Sequence, residues 1–372
     1  MNIRLILGAG LLAGTIIGAG IFSLPYVFSE IGVVFGIGYL VFFGFLYAFL
    51  YGMYASVLSS ERGYHDLFFL AKKYLPRFAV PIVKANTLFG VLFALLAYLA
   101  LIPSFVSFAS GVEGWWVIAV FWAICSAFFF VRAALLGWAE FLATASIISA
   151  VFFILFFAFR SGFDMPEMAS PGAHIGAFLL PFGPILFSFS GRSAVAGVVR
   201  IWKEARRERS PFKLTSAIRI GVFIPVVTYI VFVFAIISLS PISVSEDALS
   251  GLLFLPFYAK IILGVVGFLT LWTSYIMLGT NIKDILLFDS RLPAIFAFSI
   301  PAVIPPILFF SGFDSFMEAL SISGGIFVAV EGIVITWIWL RAFPRNRKRW
   351  YAAIPIAVFV ISFVYTCSKI FA

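Results

Sequence analysis

Two apolar stretches of the chain carry glycine and proline at positions that would break a membrane-spanning helix. The first is Gly18-Ala19-Gly20-Ile21-Phe22-Ser23-Leu24-Pro25, and the second is Phe187-Ser188-Phe189-Ser190-Gly191-Arg192, which follows Pro181 and Pro184. Lipid offers no hydrogen-bond partners, so unwound backbone at membrane depth is tolerated only where protein or a wet cavity takes up its polar groups. One break in each half of the chain therefore predicts the binding site of a transporter.

The free main-chain groups at the two breaks indicate which ligand they would bind. After the first break, a half-helix begins with exposed N–H groups and a partial positive charge, which suit a carboxylate. The second break, at 187–191, ends a half-helix whose free carbonyl groups suit an ammonium group. A carboxylate beside an ammonium group describes an α-amino acid.

The elements that carry these breaks are predicted from composition. With 63% hydrophobic residues, 11% charged residues and a mean hydropathy of +1.14, the chain is an all-α polytopic membrane protein. At about 20 apolar residues per span, eleven spans are predicted. Their bounds are about 4–29, 33–58, 82–109, 115–131, 136–159, 175–199, 218–240, 256–280, 293–311, 315–341 and 351–371.

The distribution of lysine and arginine among the loops predicts the orientation. With the N-terminus inside and the C-terminus outside, most basic residues fall in cytoplasmic loops, which is typical of membrane proteins. The longest such connection, 200–211, is interpreted as a topology-fixing linker or as a gate. The net charge of +9 is then explained by the membrane topology and by contact with anionic lipid, rather than by nucleic-acid binding. We expect the protein in the cytoplasmic membrane of a prokaryote.

The spans divide into two halves, each of which opens with a broken helix. Residues 1–159 form a first five-helix repeat and residues 175–341 a second, with 351–371 as an additional eleventh helix. Because each half has an odd number of spans, the two halves have opposite orientations, as in the inverted repeats of many secondary transporters. Cys125, Cys367, His65 and His174 lie too far apart in this topology to suggest metal or redox chemistry, so no cofactor is expected.

Three motifs resemble a known family. The segment Gly18 to Pro25 is similar to the first-helix signature of the amino acid/polyamine/organocation superfamily, and its Ser-Leu-Pro ending resembles the amino acid/auxin permease and hydroxy/aromatic amino acid permease families. The segment 182–191 resembles the sixth-helix motif of the same families. Leu269-Thr270-Leu271-Trp272-Thr273-Ser274-Tyr275, with Gly279 and Asp284 downstream, resembles the eighth helix of the hydroxy/aromatic permeases.

The resemblance implies the LeuT-type fold, a 5+5 inverted repeat with broken helices 1 and 6, and a substrate held between spans one, three, six and eight. It assigns the substrate carboxylate to backbone groups of the first break and the amino group to carbonyls of the second. Tyr98 and Phe189 would close over the substrate. The backbone groups at these two subsites belong to Gly18, Ala19, Gly20 and Ile21, and to Phe187, Ser188 and Ser190.

The resemblance also implies an ion site between spans one and eight. Its ligands would be the carbonyls of Gly14, Ile17 and Thr270 with the side chains of Thr273 and Ser274. Adjacent hydroxyls supply the oxygen ligands that a hard cation prefers without a buried charge. The alternative is that both hydroxyls bond back to carbonyls of their own helix. Proton coupling also stays open, although the lysine that some proton-coupled relatives carry on helix five is missing here.

Arg192 departs from the family pattern, which has a small, aromatic or histidine residue after the glycine. An arginine at membrane depth is costly unless it is paired, so we expect a carboxylate partner, either Glu331 or Glu140. Such a pair would form an inner gate or a proton relay. Arg192 would otherwise extend to the cytoplasmic interface, or contact an anionic side chain of the substrate.

The predicted function is secondary active transport of amino acids by alternating access, as symport with Na⁺ or H⁺ and with import as the expected direction. No nucleotide-binding loop or paired nucleophile and base appears in the sequence, which disfavours a pump or a membrane enzyme. The alternatives are a channel, a transporter-like sensor without coupled flux, or a transporter of another organic cation or a nucleobase. The expected partners are the substrate and membrane lipid, and the sequence does not fix the oligomeric state.

Overall fold

The chain is described by a computed structural model that covers residues 3–63, 65–130, 133–160, 178–240, 243–252, 255–289, 292–347 and 349–371. For residues 130, 133–143, 288, 289 and 371 the description covers the main chain alone. The α-helices of the described residues are α1 Ile3–Ile16, α2 Leu24–Ile31, α3 Val33–Ser60, α4 Leu67–Tyr74, α5 Ala79–Ser110, α6 Trp115–Ala127, α7 Ala133–Arg160, α8 Phe182–Ser188, α9 Arg192–Arg207, α10 Leu214–Ser238, α11 Phe257–Asp284, α12 Ala294–Phe310, α13 Phe316–Ile322, α14 Ala329–Ala342 and α15 Ala353–Phe371.

Apolar helices lie at each of the eleven predicted spans, and most of them are long enough to cross a membrane. Seven continuous helical stretches are long and apolar enough to cross a membrane, and the bent pair of α1 with the segment 19–31 makes an eighth. Three shorter apolar helices lie at Trp115–Ala127, Thr144–Arg160 and Ala294–Phe310. The protein is therefore an integral membrane protein, as the composition predicts.

Both predicted helix breaks are present. Helix α1 ends at Ile16, Gly18 is extended (φ −142°, ψ −159°), and the helical axis turns by 49° before α2, which has proline in its first turn. At the second break, α8 ends at Ser188 and α9 begins at Arg192. Each break therefore interrupts the regular hydrogen bonding of an apolar helix inside the bundle.

The two broken helices pack closely against their neighbours through glycine. A Cβ atom at Gly221 of α10 would lie 2.8 Å from the Cβ of Leu12 in α1, and one at Gly183 of α8 would lie 2.8 Å from the Cα of Ser321 in α13. Approaches this close need a residue without a side chain. Helices α10 and α13 thereby hold the half-helices in fixed positions beside the breaks.

On the side of the basic loops, the structure corrects the interpretation of residues 200–211 as a loop. Helix α9 continues to Arg207, and its Lys203 ammonium group donates to the carbonyls of Leu58, Glu61 and Gly63 at 2.8–3.0 Å. This lysine therefore caps the end of α3 and fastens α9 to it. The neighbouring basic loop contains the short helix α4, which the sequence interpretation missed; its N-cap is Asp66.

Candidate functional site

A cavity of about 430 Å³ lies between the two helix breaks. Its inner wall includes Gly18, Tyr98, Phe187 and Ser190. The wall continues past Gly197 and Arg200 of α9 and past Asn281 in the last turn of α11, and Arg200 and Asn281 are exposed. The cavity is therefore accessible from the side of the membrane that carries the basic loops.

On the opposite side, aromatic side chains close the bundle. The Phe22 ring lies 4.9 Å from the ring of Phe105 and 5.7 Å from that of Phe232, measured between centroids. Nearer the cavity, the rings of Tyr98 and Phe187 meet edge to face at 6.4 Å. Within the described part of the chain, these contacts separate the cavity from the far side of the membrane, so access is one-sided.

At the first break, one of the four predicted carboxylate-binding residues faces the cavity. Gly18 lines it, and a Cβ atom built at this position has nothing within 4 Å. Ala19 and Ile21 are fully buried, and a Cβ at Gly20 would lie 2.7 Å from both the Cα and the Oγ of Ser188. The structure thus places Gly20 in the contact between the two breaks, and Gly18 at the cavity.

At the second break, tyrosine hydroxyls form hydrogen bonds with main-chain carbonyls. Tyr51 donates to the Phe189 carbonyl at 2.7 Å and accepts from the Gly191 N–H at 2.6 Å. Tyr47 donates to the Leu186 carbonyl at 2.9 Å, and the Tyr229 hydroxyl lies 2.8 Å from the Ser188 carbonyl. Of the three carbonyls that the sequence interpretation assigned to the substrate, that of Ser188 is occupied by Tyr229 and that of Phe187 accepts from the Ser190 N–H at 2.9 Å.

The sequence analysis missed these tyrosines, although a signal was present. Tyr47 and Tyr51 are four residues apart and so share one face of α3, and Tyr229 lies within apolar α10. A buried tyrosine usually finds a hydrogen-bond partner for its hydroxyl. Their presence in apolar spans therefore indicates unpaired main-chain acceptors nearby.

The predicted substrate residues of the second break fall into two groups. Phe187 and Ser190 line the cavity. Ser188 is 2% exposed and donates its hydroxyl to the Pro184 carbonyl of its own helix. Phe189 is fully buried and stacks on Tyr47 with a centroid distance of 5.4 Å, so the aromatic side chain beside Tyr98 at the cavity is Phe187 instead.

All five predicted ion-site residues, Gly14, Ile17, Thr270, Thr273 and Ser274, line the same cavity. The Thr273 hydroxyl lies 3.1 Å from the carbonyls of both Leu269 and Thr270, so this side chain bonds back to its own helix. Thr144 of α7, which the sequence analysis did not single out, donates to the Gly14 carbonyl at 3.2 Å. Three of the candidate oxygens, the Thr273 hydroxyl and the carbonyls of Thr270 and Gly14, are therefore engaged within the protein.

Arg192 and Glu331 form an ion pair in the wall of the cavity. Arg192 Nε lies 2.8 Å from Glu331 Oε2, and the two side chains are 17% and 19% exposed. Tyr54 lies beside the same guanidinium group and interacts with it. Arg192 is thus paired inside the bundle rather than extended to the membrane interface. The side chain of Glu140, the other predicted partner, lies outside the described residues.

A polar network lies on the far side of the bundle, in the segment 243–252 between α10 and α11. The Asp247 carboxylate is 8% exposed and accepts hydrogen bonds from the Ser245 hydroxyl at 2.7 Å and the Ser250 N–H at 2.9 Å. Burial alone raises the pKa of Asp247, but hydrogen bonds from Ser250, Ser104 and Ser245 lower it below its usual range. Because Ser104 belongs to α5, this network fastens the segment to the bundle.

Among solved structures, the chain is similar to membrane transporters. A manganese transporter of Eremococcus coleocola is 13% identical with a TM-score of 0.66, over 97% of this chain and 85% of that one. MhsT in complex with L-phenylalanine is 14% identical with a TM-score of 0.63, over 98% of each chain. Mhp1 in its inward-facing conformation is 13% identical with a TM-score of 0.62, over 96% of this chain and 87% of that one.

These similarities extend over nearly the whole chain and confirm the predicted fold. It is the LeuT-type fold, a 5+5 inverted repeat with broken helices 1 and 6, followed by an eleventh helix. No family model and no curated protein matches the chain. At 12–14% identity the solved structures establish the fold alone.

Proposed function

We propose that the protein is a secondary active transporter that moves amino acids by alternating access, driven by Na⁺ or H⁺. The observation that carries the proposal is a one-sided cavity located at two broken helices, the arrangement that such transporters use to bind substrate near the middle of the membrane. The sequence motifs support placing the chain in the amino acid/polyamine/organocation superfamily. They also support a location in the cytoplasmic membrane, with the basic loops inside.

In this proposal the substrate lies between Gly18, Tyr98, Phe187 and Ser190. Gly18 leaves room for a ligand to approach the main chain of the first break, where α2 and its preceding turn present the positive end of a half-helix. The amino group then lies toward Ser190, whose side of the break opens to the cavity. The tyrosine-bound carbonyls of Leu186 and Phe189 hold the half-helix α8 in position instead of contacting the substrate.

Alternating access requires the cavity to close on the side of the basic loops and to open on the other. Arg4 of α1 bonds Glu208, at the end of α9, at 2.7 Å, so the two half-helices at the cavity mouth are joined on that side. Helices α1 and α9 are expected to move together toward α5 and α11 on closure. The rings of Phe22, Phe105 and Phe232 must separate at the same time, since they block the path from the cavity to the opposite side of the membrane.

The coupling ion is proposed to bind at Gly14, Ile17, Thr270, Thr273 and Ser274, or to be replaced by a proton. Although the fold is similar to that of a manganese transporter, the residues of this chain do not favour a transition-metal ion as the transported substrate. No group of three histidine, cysteine, aspartate or glutamate side chains comes together within the described part of the chain. Transition-metal ions are normally held by a set of histidine, cysteine or carboxylate side chains.

The decisive experiment is uptake of radiolabelled amino acids into proteoliposomes, with and without an imposed Na⁺ or pH gradient. Accumulation against a concentration gradient supports the proposal and excludes both a channel and a sensor. Uptake that only equilibrates, or binding without uptake, would contradict it. Binding that persists when the ligand lacks its carboxylate would favour an organic cation or a nucleobase instead.

A matched pair of variants tests the location of the substrate. Gly18→Val puts a side chain into the cavity and should abolish uptake, whereas Gly10→Val on the same broken helix should not. Neither position has an atom within 4 Å of the added Cβ, but Gly10 lies away from the cavity. Equal uptake by the two variants would show that the substrate does not approach the first break.

A further inference from the structure

The charged side chains in the cavity narrow the class of amino acid, if the proposed function holds. We infer that Arg192 and Glu331 form the recognition site for a carboxylate on the substrate's side chain. When no substrate is bound, the Glu331 carboxylate pairs with Arg192 in its place. The cargo is then an amino acid with a second acidic group. The inference rests on the proposed function and adds the substrate class to it.

The position of Arg192 connects this pair to the proposed substrate site. It is the first residue of α9 and follows the second break directly, next to Ser190 and Gly191. Both Arg192 and Glu331 line the cavity that Gly18 and Ser190 line. A ligand that spans from the first break toward the basic loops therefore extends its side chain toward the guanidinium group.

The charge of the cavity wall favours an anionic ligand. Among the described lining residues, the positive side chains are Arg192 and Arg200, and the negative side chain is Glu331. A zwitterionic amino acid with a neutral side chain leaves this excess of positive charge unchanged. An amino acid with a second carboxylate balances it, and the exposed Arg200 attracts such an anion toward the cavity.

Glu331 shows how the guanidinium group binds a carboxylate. The Nε–Oε2 distance of 2.8 Å is that of a close ion pair, in which the Nε–H itself forms no hydrogen bond, and the guanidinium group carries five N–H donors in all. The planar guanidinium fork suits carboxylates in general, so a substrate carboxylate is able to share the group or to exchange with Glu331. Exchange keeps the arginine paired at every stage, which avoids an uncompensated buried charge.

A second polar group points to an oxygen ligand in the same region. Thr87 of α5 is 4% exposed, lines the cavity, and its hydroxyl has no hydrogen-bond partner. The adjacent Asn86 donates its amide to the Phe327 carbonyl at 2.9 Å, one helical turn before Glu331. Leaving a buried hydroxyl unpaired is unfavourable, so this group is available to a ligand oxygen.

The test measures competition in the uptake assay between acidic amino acids and their amides. Aspartate and glutamate should be taken up with a kcat/KM at least about tenfold above those of asparagine and glutamine, since a site built around a charged hydrogen bond rejects ligands that lack the group. Glu331→Gln removes the internal competitor and should lower the KM for the acidic substrates several-fold. The double variant Arg192→Gln with Glu331→Gln should reduce the acid-to-amide ratio to about one.

Arg219→Gln is the control, because Arg219 is exposed on α10 and does not line the cavity; its acid-to-amide ratio should stay as in the wild type. Thermal unfolding of each purified variant confirms that it is folded. The inference is overturned if the wild type takes up amides as well as acids, if the double variant lowers both equally, or if Glu331→Gln stops all uptake, as a proton relay would. Accumulation of neutral amino acids alone overturns only this inference, whereas no accumulation of any amino acid overturns the proposed function as well.

Discussion

The two helix breaks look alike in the sequence but differ in the way their main-chain groups are used. At the first, Gly18 opens onto the cavity with free space where a side chain would lie. At the second, hydroxyls of Tyr47 and Tyr51 occupy the carbonyls of Leu186 and Phe189. A broken helix therefore provides a ligand site only where protein side chains leave its polar groups free.

Tyr229 connects the two breaks directly. Its hydroxyl lies 2.8 Å from the Ile16 carbonyl and 2.8 Å from the Ser188 carbonyl. A phenol has one proton and donates fully to one acceptor at a time, so the two carbonyls share it. Any movement that separates the breaks has to stretch or break one of these contacts, which makes the breaks mechanically dependent on each other.

The largest expected effect comes from wedging the breaks apart with Gly20→Ala. The new Cβ would lie 2.7 Å from the Ser188 Cα and 3.1 Å from the Phe187 ring, and backbone cannot yield as a flexible side chain does. We expect thermal unfolding to show a loss of about 1–3 kcal/mol or more, typical of an overpacked core. Gly18→Ala, at the open side of the same break, is the control and should unfold like the wild type. Equal stability of the two variants would mean that the breaks do not pack as described.

Tyr229→Phe should have the next largest effect. It removes the one hydroxyl shared by the carbonyls of Ile16 and Ser188, and buried acceptors without a partner cost about 1–3 kcal/mol. We expect a lower unfolding temperature and slower uptake, since the breaks are no longer held together. Tyr258→Phe makes the same chemical change at a side chain that is 58% exposed and should have no effect. An unchanged Tyr229→Phe variant would remove the proposed dependence between the breaks.

A double variant, Thr273→Val with Ser274→Ala, examines the ion site beside the first break. If Na⁺ binds there, stimulation of uptake by Na⁺ should disappear while binding of the amino acid persists at a lower affinity. Thr228→Val is matched to the threonine change, because both hydroxyls bond back to the carbonyl four residues earlier and Thr228 lies outside the cavity. An unchanged response to Na⁺ in the double variant would leave the proton as the coupling ion.

The smallest effect is expected at Asp247. Its carboxylate is hydrogen-bonded within the protein, as are main-chain carbonyls of the second break, but it lies outside the cavity. Because the folded state lowers the pKa of this carboxyl, its contribution to stability is present above the unfolded value of about 3.9 and is lost as pH falls through the lower folded value. Asp247→Asn should flatten the decline of the unfolding temperature below about pH 4 and leave uptake at neutral pH unchanged. A variant with the wild-type acid profile would show that other carboxyls determine this decline.

Local chemistry alone determined the helical spans and the positions of their breaks. A run of apolar residues needs a helix to satisfy its backbone in lipid. Consecutive small residues, followed by Pro25, allow that helix to break near Gly18. The requirement that Arg192 be paired also followed from its type and depth. The sequence interpretation failed at 200–207, where α9 continues as a helix and Lys203 contacts the end of α3, a segment far away in the chain.

Only the tertiary structure decided which groups at the breaks are open to a ligand. Gly20 faces Ser188 while Gly18 faces the cavity, and the sequence offers two small residues that look equally free. Glu331 as the partner of Arg192 and Tyr229 as the link between the breaks depend on contacts between helices far apart in the chain. The physical reason is that helix formation in lipid is set by neighbouring residues, whereas the exposure of a polar group is set by whatever packs against it.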